Sequence, residues 1–355
     1  MNNNNNNNTI CFVAAHSGGH IIPCATLAAK LAPAHQVLFI TINQKLEREI
    51  LAKYNFVTNI SYIELPKFPY KKIWHYPKFI FQLLKTILNS RKILHSAQVT
   101  RVITTGGISA IPVCLAAKTL GIPIELFELN LEPGKTITFL APLATKIKIC
   151  FPETKNFFRV TAQTKCELVS YPVRFTAADR TLQPINLFRE LTSSQTNTPK
   201  ITIFILGGSQ GSSYLNHLAY QLLPIANKIQ VIHQTGPDTK TISQLTQFYA
   251  QYNIPAHVFA YTHEIAQLYN LADIIITRAG AGVLAEILFF NKPAIVIPLK
   301  TGTTSHQVAN ACALTKQHPE LFTVLDQDQV TRDTQLLLTV ITSLMLNVKQ
   351  ISAEL

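Results

Sequence analysis

The chain lacks an apolar run long enough to cross a bilayer. No stretch of its 355 residues approaches the roughly 18 to 20 consecutive apolar residues of a transmembrane helix. The short apolar run that follows the asparagine repeat at residues 2–8 has neither the basic start nor the cleavage pattern of a secretory signal peptide. The six cysteines form no Cys-x-x-Cys pair, which disfavours a structural zinc site or a disulfide framework. These absences predict a protein that stays in the cytoplasm with reduced thiols.

Acidic residues are missing from a long part of the first half. Residues 65–124 contain no Asp or Glu but nine Lys and Arg. Residues 1–174 hold 20 basic and 8 acidic residues, whereas residues 175–355 hold 11 of each, so the formal net charge of +12 belongs to the first half. We expect this half to meet something anionic. No helix-turn-helix, RNP or zinc-finger pattern accompanies the charge, so no nucleic-acid partner is predicted.

What the chain does contain is an alternation of short apolar runs with helix-length segments. The strand candidates are Ile10–Ala15, Val37–Ile42, Arg101–Thr105, Pro123–Phe127, Lys146–Cys150, Lys200–Leu206, Ile229–His233, His257–Ala260, Asp273–Thr277 and Ala294–Pro298. This pattern predicts an α/β protein with two doubly wound, Rossmann-like domains whose ligand sites lie at the carboxyl ends of parallel strands.

The polar segment 176–199, which contains Pro184 and Pro199, is the predicted linker between the two domains. The full division is a disordered asparagine tail over 1–8, an N-terminal domain over 9–175, the linker, a C-terminal domain over 200–340 and a C-terminal helix over 341–355. We expect that helix to pack back toward the first domain. A ligand is expected in a cleft between the domains.

Glycine-containing turns follow three of the predicted strands: Ser17-Gly18-Gly19-His20, Gly106-Gly107 and Gly207-Gly208-Ser209-Gln210-Gly211. Glycine lets backbone N–H groups close on a phosphate at the positive end of a helix, although each turn alone could be only a tight connection. None is Gly-x-Gly-x-x-Gly or a Walker motif, which disfavours a nicotinamide dehydrogenase and a Walker-type ATPase. The ligand that these glycine turns fit better is a nucleotide diphosphate, less tightly enclosed than in those two motifs.

Another strand, turn and helix start runs from Thr277 to Glu286. A carboxylate at Glu286 could accept hydrogen bonds from both ribose hydroxyls while the helix N-terminus faces a pyrophosphate. The alternative is a glutamate placed early in a helix for the helix dipole alone.

As a set, these motifs resemble the MurG family of bacterial GT-B glycosyltransferases. The resemblance rests on the turns above with Asn216, His233-Gln234-Thr235-Gly236, Arg278-Ala279-Gly280 with Glu286, and His306-Gln307 with Asn310, in order from residue 14 to about 311. It implies a GT-B fold, with the two domains facing each other across a cleft. It also implies an inverting N-acetylglucosaminyltransferase that moves GlcNAc from UDP-GlcNAc to the 4-hydroxyl of MurNAc in undecaprenyl-linked lipid I. The product would be lipid II for peptidoglycan synthesis.

The same resemblance implies a peripheral enzyme on the cytoplasmic face of the inner membrane, with division or cell-wall synthesis proteins as further partners.

In the donor site, Glu286 would bind the ribose, Thr262 the uracil through its backbone, and Gln307 the sugar. The segment beside the phosphates would comprise Ala281, Gly282, Val283, Leu284 and Ala285. Ser209 and Arg174 match family positions near the donor phosphates, where a fixed cation stabilises departing UDP. A surface arginine is the alternative for Arg174.

His20 and Glu128 are the candidate general bases, because an inverting transfer must remove the proton of the acceptor hydroxyl. A helix cap or a phosphate contact is the alternative for His20. Ser17, Gly18, Gly19 and Asn130 are further predicted substrate-binding residues. The motifs call for no particular cofactor, and the need for a divalent cation is left open because no site for one is identified.

The chain departs from the family pattern at three places. Ala15-His16 stands where the family has two glycines, Phe127-Glu128-Leu129-Asn130 replaces His-Glu-Gln-Asn, and Val283 replaces a hydroxyl residue. We expect these changes to affect acceptor binding and catalysis more than donor binding. They also motivate a scaffold that binds UDP-GlcNAc or lipid I with weak activity. A UDP-GlcNAc 2-epimerase and a glycolipid synthase are the enzymatic alternatives.

A basic aromatic segment predicts contact with a membrane surface. It combines Trp74, Tyr76 and Phe79 with Lys71, Lys72 and Lys78, a mixture suited to anionic headgroups. The following apolar stripe has helical spacing and is predicted to belong to the protein core. Its members are Ile80, Leu83, Leu84, Ile87 and Leu88.

Overall fold

The chain divides into two compact units, residues 1–174 and 175–355. The computed structural model describes residues 8–15, 17–54, 59–65, 74, 76–183, 187, 200–208, 210–262, 264–300 and 305–354. Of the predicted asparagine tail, only Asn8 lies within the described residues. None of the helices in these ranges combines the length and the apolar character that spanning a membrane would need.

Unit 1 contains a seven-stranded parallel sheet with the order β3-β2-β1-β4-β5-β6-β7. Its strands are β1 (Thr9–Val13), β2 (Gln36–Thr41), β3 (Asn59–Tyr62), β4 (Val99–Thr104), β5 (Ile124–Glu128), β6 (Lys146–Ile149) and β7 (Cys166–Leu168). The strand order reverses between β1 and β4. In open parallel sheets a ligand crevice forms outside the carboxyl ends of the strands at such a point.

The helices of unit 1 cover both faces of this sheet. They are α1 (Gly18–Leu31), α2 (Lys45–Leu51), α3 (Tyr76–Ser96), α4 (Ala110–Thr119), α5 (Lys135–Leu140) and α6 (Val160–Gln163). Alternate residues of β1 enter different cores: Ile10 and Phe12 pack with α1, whereas Cys11 and Val13 pack with residues of α4 and α5. Burial on both faces explains why the strand reads as one continuous apolar run.

Unit 2 repeats this architecture with a six-stranded parallel sheet of order β10-β9-β8-β11-β12-β13. Its strands are β8 (Ile201–Leu206), β9 (Ile229–Gln234), β10 (Ala256–Phe259), β11 (Ile274–Thr277), β12 (Ala294–Val296) and β13 (Phe322–Val324). The order reverses between β8 and β11, so the second crevice is expected where these strands end.

The helices of unit 2 are α7 (Ala177–Arg180), α8 (Ser213–Leu218), α9 (Thr239–Gln251), α10 (Ile265–Leu271), α11 (Ala281–Phe290), α12 (Ser305–Gln317), α13 (Gln327–Arg332) and α14 (Thr334–Glu354). Helix α14 begins at Thr334, seven positions before the start predicted at residue 341. Its residues Leu337, Ile341 and Met345 are buried in the core of unit 2, beside residues of β8 and β9.

The predicted linker 176–199 is not one uniform connection. Thr176 and Asp179 form a reciprocal capping box at the start of α7. The side chain of Asn270 donates to the carbonyls of Asp179 and Leu182, and this holds the segment on unit 2. Apart from residue 187, positions 184–199 of the predicted linker lie outside the described residues.

Three of the five residues in the apolar stripe of α3 are exposed, so their assignment to the core was wrong, whereas Ile87 packs against the core and Leu83 is half-buried. Ile80, Leu84 and Leu88 are each more than half exposed, and Phe81 beside them is 70% exposed. The face of α3 that packs inward carries Thr86, Ser90 and Leu94 at four-residue spacing. Small and polar residues can form this face because α4 beneath it is rich in alanine and the Thr86 hydroxyl is bonded to the Glu64 carbonyl.

Candidate functional site

The first glycine turn lies at the carboxyl end of β1. Ala14 and Ala15 are buried behind it, and Ser17 is the extended residue that begins α1. The Ser17 carbonyl accepts the backbone N–H groups of His20 and Ile21. Gly18, Gly19 and His20 therefore form the first turn of the helix. His16 lies outside the described residues.

The side chain of His20 is fixed by the end of β4. Its Nδ1 lies 2.9 Å from the carbonyl oxygen of Thr105, and the Thr105 hydroxyl donates to the His20 carbonyl at 2.8 Å. Because a carbonyl can only accept, Nδ1 must carry a proton. In the neutral ring, the basic lone pair then belongs to Nε2.

The second glycine turn closes around the same imidazole. Gly106 and Gly107 have φ angles of +100° and +86°, which L side chains rarely adopt. A Cβ on Gly106 would lie 3.5 Å from Cε1 of His20, and one on Gly107 would lie 3.3 Å from the Ala15 carbonyl oxygen. The two turns thus meet at the strand-order reversal of unit 1, and Thr105 is a positioning residue that the sequence analysis missed. The signal was present in Thr104-Thr105-Gly106-Gly107, directly after the strand.

Glu128 ends β5 and organises the loop that follows. Its buried carboxylate accepts the backbone N–H of Asn130 at 2.8 Å, the side-chain amide of Asn130 at 3.1 Å, and the backbone N–H of Gly134 at 2.8 Å. Burial raises the pKa of Glu128, and these hydrogen bonds act in the opposite direction. Both carboxylate oxygens already hold the loop, which makes this group a better anchor than proton acceptor.

Two glycine turns of unit 2 interlock where β8 and β9 end. A Cβ on Gly207 would lie 2.6 Å from the Gln234 carbonyl oxygen, and one on Gly211 would lie 2.2 Å from that of Thr235. A Cβ on Gly236 would lie 2.5 Å from the Cα of Gly211. Backbone approaches this close exclude any side chain. Ser209, a predicted phosphate contact in this turn, lies outside the described residues.

The predicted ribose ligand, Glu286, is 9% exposed and lies one and a half turns into α11. The hydroxyl of Tyr269 donates to its Oε2 at 2.9 Å. The residue before the helix is Gly280, which offers no side-chain cap to the first N–H groups. Leu284 is fully buried in the core and the other members of segment 281–285 are half-buried, so the segment can meet a phosphate chiefly through its backbone.

Arg278 links the turn after β8 to the end of β12. Its Nε donates to the Ser212 hydroxyl at 3.2 Å and its Nη1 to the Ile297 carbonyl at 3.0 Å. Burial lowers the pKa of this guanidinium, and no described carboxylate forms an ion pair with it. Arg278 belongs to one of the sequence motifs but has no predicted role. Its position one residue after a buried strand was the available signal.

The remaining predicted donor residues lie in separate loops. The Thr262 hydroxyl accepts the backbone N–H of Glu264 at 3.2 Å, and the side-chain oxygen of Gln307 accepts that of Leu299 at 3.1 Å. Arg174 is half-buried and is the last residue of unit 1. The next residue, Phe175, packs with its ring centroid 6.1 Å from that of Tyr269.

No group of three potential metal ligands occurs among the described His, Cys, Asp and Glu residues.

Two parallel α/β sheets, each with glycine turns at its strand-order reversal, are the architecture of GT-B glycosyltransferases. The family description "Glycosyltransferase family 28 N-terminal domain" matches residues 10–149, and "Glycosyltransferase family 28 C-terminal domain" matches residues 202–354. The chain is therefore a two-domain glycosyltransferase, as the sequence predicts.

Curated relatives narrow the class further. An enzyme of Thermodesulfovibrio yellowstonii is 31% identical over 83% of this chain and 79% of its own length, and one of Halothermothrix orenii is 32% identical over 86% and 82%. Both carry the name UDP-N-acetylglucosamine–N-acetylmuramyl-(pentapeptide) pyrophosphoryl-undecaprenol N-acetylglucosamine transferase. The chain belongs to this family, which is the MurG family, and the resemblance is confirmed. The crystal structure of Acinetobacter baumannii MurG shares the fold, with 24% identity, a TM-score of 0.72 and coverage of 97% of this chain and 95% of that one.

Proposed function

We propose that this protein transfers GlcNAc from UDP-GlcNAc, with inversion, to the 4-hydroxyl of MurNAc in undecaprenyl-pyrophosphoryl-MurNAc-pentapeptide. The product is lipid II for peptidoglycan synthesis. The observation that carries the proposal is the similarity, over more than four fifths of the chain, to enzymes named for this transfer. The fold alone would suit other sugar-nucleotide enzymes equally well.

The donor binds unit 2 in this proposal. Glu286 accepts hydrogen bonds from the ribose hydroxyls, and the Tyr269 hydroxyl on Oε2 holds the carboxylate in place. The first backbone N–H groups of α11 face the diphosphate, where the positive end of the helix favours an anion. Gln307 contacts the sugar, Thr262 the uracil, and Ser209 and Arg174 the diphosphate. In this scheme Arg174 stabilises the charge that grows on UDP as it leaves.

The acceptor binds unit 1, and His20 acts as the base. Its Nε2 accepts the proton of the MurNAc 4-hydroxyl as that oxygen attacks the anomeric carbon of GlcNAc. The bond from this carbon to the β-phosphate oxygen breaks, and UDP leaves with the bonding electrons. The hydrogen bond from Nδ1 to the Thr105 carbonyl supports this assignment because it directs the basic nitrogen away from the strand. Glu128 and Asn130 shape the acceptor loop, with Glu128 as an anchor for residues 129–134.

The membrane surface of unit 1 is the exposed face of α3. Helical spacing places Phe81, Leu84 and Leu88 on one stripe and the exposed Lys78, Lys85 and Lys92 on the adjacent stripe. An apolar stripe beside a cationic one suits the interface of an anionic membrane, where each basic residue contributes about 1 kcal/mol. Trp74, 88% exposed, and Tyr76 continue the surface toward the helix start, whereas Phe79 is half-buried. Lys71 and Lys72 lie outside the described residues.

Replacing Phe81 and Leu88 by serine is expected to lower the partition coefficient onto anionic vesicles by about tenfold or more. Each substitution removes a large apolar side chain that would otherwise leave water, worth about 1.5–3 kcal/mol when burial is complete. Sedimentation of the purified protein with phosphatidylglycerol-containing vesicles measures the effect. Leu346, 61% exposed in unit 2, supplies the matched Leu346→Ser control. An equal loss in the control, or unchanged binding of the double variant, would exclude α3 as the membrane surface.

The proposed reaction is tested with labelled UDP-GlcNAc and a short-chain lipid I analogue, by following both UDP release and label in the lipid. Glu286→Ala is expected to weaken donor binding by about 10- to 100-fold, since hydrogen bonds to a charged group are worth about 1.5–3 kcal/mol. A donor with a 2′-deoxyribose provides the matched comparison. It should bind the unchanged protein more weakly than UDP-GlcNAc does, with little further loss in the Glu286 variant.

The possible outcomes separate the proposal from its alternatives. Lipid-dependent transfer that the Glu286 variant loses supports the proposed reaction. Conversion of UDP-GlcNAc without lipid would indicate an epimerase, and donor binding without turnover would indicate a scaffold. Independent losses from the deoxyribose and from Glu286→Ala would show that this carboxylate does not contact the 2′-hydroxyl.

A further inference from the structure

A fully buried histidine joins three elements of unit 2 below the donor turns. His233 lies in β9 with 0% exposure. Its Nδ1 is 3.0 Å from the hydroxyl of Tyr249 in α9, and its Nε2 is 3.0 Å from the side-chain oxygen of Asn216 in α8. The side-chain amide of Asn216 continues the chain by donating to the Thr235 carbonyl at 3.1 Å.

The hydrogen-bond partners determine where each proton lies. The Thr235 carbonyl can only accept, so the NH₂ group of Asn216 faces it and the amide oxygen faces His233. That oxygen can only accept, so Nε2 of His233 carries the ring proton. In the neutral ring, Nδ1 is then an acceptor and the Tyr249 hydroxyl donates to it. Burial lowers the pKa of His233 to about 3, which keeps the ring neutral at physiological pH.

This series of hydrogen bonds ends at the Thr235 carbonyl, which takes part in the closest backbone contact between the glycine turns. The Thr235 carbonyl that Asn216 holds is the atom that a Cβ on Gly211 would approach to 2.2 Å. The backbone N–H of Thr235 is bonded in turn to the Phe259 carbonyl at the end of β10. Gly211 therefore packs directly on the Thr235 carbonyl, and the position of that carbonyl depends on its hydrogen bond from Asn216.

We propose that His233 is a positioning residue for the donor, because it orients Asn216 and thereby sets the position of Gly211 in the glycine turn after β8, against which the donor diphosphate binds. The identity of the donor rests on the function proposed above. His233 itself touches no substrate in this scheme. Its Nε2–H donates to the Asn216 side-chain oxygen and its Nδ1 accepts from the Tyr249 hydroxyl, so the ring holds the Asn216 amide in one orientation and ties it to α9. An apolar side chain of similar volume would fill the space without doing so.

Two substitutions separate this role from simple packing. His233→Gln places an amide N–H₂ near the position of Nε2 and should still donate to Asn216. His233→Asn is shorter, reaches only the position of Nδ1 and cannot contact Asn216. UDP is the probe, and its Kd is measured calorimetrically on the full chain without acceptor. The glutamine variant should bind UDP within about threefold of the unchanged protein, whereas the asparagine variant should bind it about tenfold or more weakly.

A second measurement requires no substitution. The imidazole ¹⁵N shifts of His233 in the unchanged protein should report a neutral ring protonated at Nε2. A ring protonated at Nδ1 would overturn the inference, as would equal UDP affinities in folded glutamine and asparagine variants. UDP binding without GlcNAc transfer would contradict the proposed reaction but leave the role of His233 intact. Failure of the unchanged protein to bind UDP would contradict both.

Discussion

His20→Ala is expected to lower kcat for GlcNAc transfer by about 100- to 10,000-fold, the range that a positioned general base contributes. The Kd for UDP should stay within about twofold, because in the proposed scheme His20 contacts the acceptor hydroxyl and not UDP. Single-turnover transfer from labelled UDP-GlcNAc, measured beside UDP binding, separates the two quantities. The expected loss is large because removal of the ring leaves the 4-hydroxyl without its proton acceptor.

The matched control for this prediction is His20→Asn. The asparagine amide can replace Nδ1–H as donor to the Thr105 carbonyl but offers no base at the position of Nε2. Loss of activity in both variants would therefore assign the defect to proton acceptance. If the asparagine variant kept its activity, His20 would have a structural role through its contact with Thr105 and would not be the base. If Glu128→Gln abolished transfer while His20→Ala did not, the base would be Glu128, despite the three N–H groups on its carboxylate.

The sheets were largely predictable because most of their strands are buried on both faces. The ten predicted strands correspond to β1, β2, β4, β5, β6 and β8–β12, and their ends differ from the observed ones by at most two residues. The three missed strands, β3, β7 and β13, are edge strands of three or four residues. Short edge strands carry little apolar signal, and their pairing is decided by the neighbouring strand.

Helix α3 shows what could not be predicted from the sequence, namely which face of the helix is buried. Its apolar stripe has the right period for a core face, but period alone does not say which side of a helix the protein covers. The buried residues of the helix are Thr86, Ser90 and Leu94, with Ile87 and Ile93 packed beside them, and a hydrophobicity pattern would not select Thr86 or Ser90. Only the narrow alanine-rich surface of α4 and the Glu64 carbonyl explain this choice. The same reversal leaves Phe81, Leu84 and Leu88 available for a membrane.

The candidate sites were predictable in position and not in detail. Glycine turns after buried strands marked the strand-order reversal of each sheet, where a ligand crevice is expected, since the carboxyl ends of parallel strands meet at one sheet edge. Thr105, Arg278 and Tyr269 were not assigned, because each acts on a residue distant in sequence. The tautomers of His20 and His233 also depend on such partners, and a single sequence contains no signal for them.

Gly211→Ala is expected to reduce UDP affinity by more than tenfold and to lower the free energy of unfolding of unit 2 by about 2–5 kcal/mol. A φ of +77° costs an L residue about 1–2 kcal/mol, and forcing a methyl group into a packed site costs about 1–3 kcal/mol more. The added Cβ would lie 2.2 Å from the Thr235 carbonyl oxygen, so the turns after β8 and β9 must separate. Calorimetric UDP binding and thermal unfolding measure the two effects.

Gly208→Ala is the matched control, three residues away in the same turn. Gly208 has a nearly identical φ of +78°, but a Cβ there would meet no described atom within 4 Å. It should therefore show the conformational cost alone, with UDP affinity within about threefold. Similar losses in the two variants would mean that backbone strain, and not separation of the interlocked turns, controls donor binding. A selective loss in Gly211→Ala would show that the donor site depends on contact between the 207–212 turn and the Thr235 carbonyl, the atom that Asn216 and His233 hold.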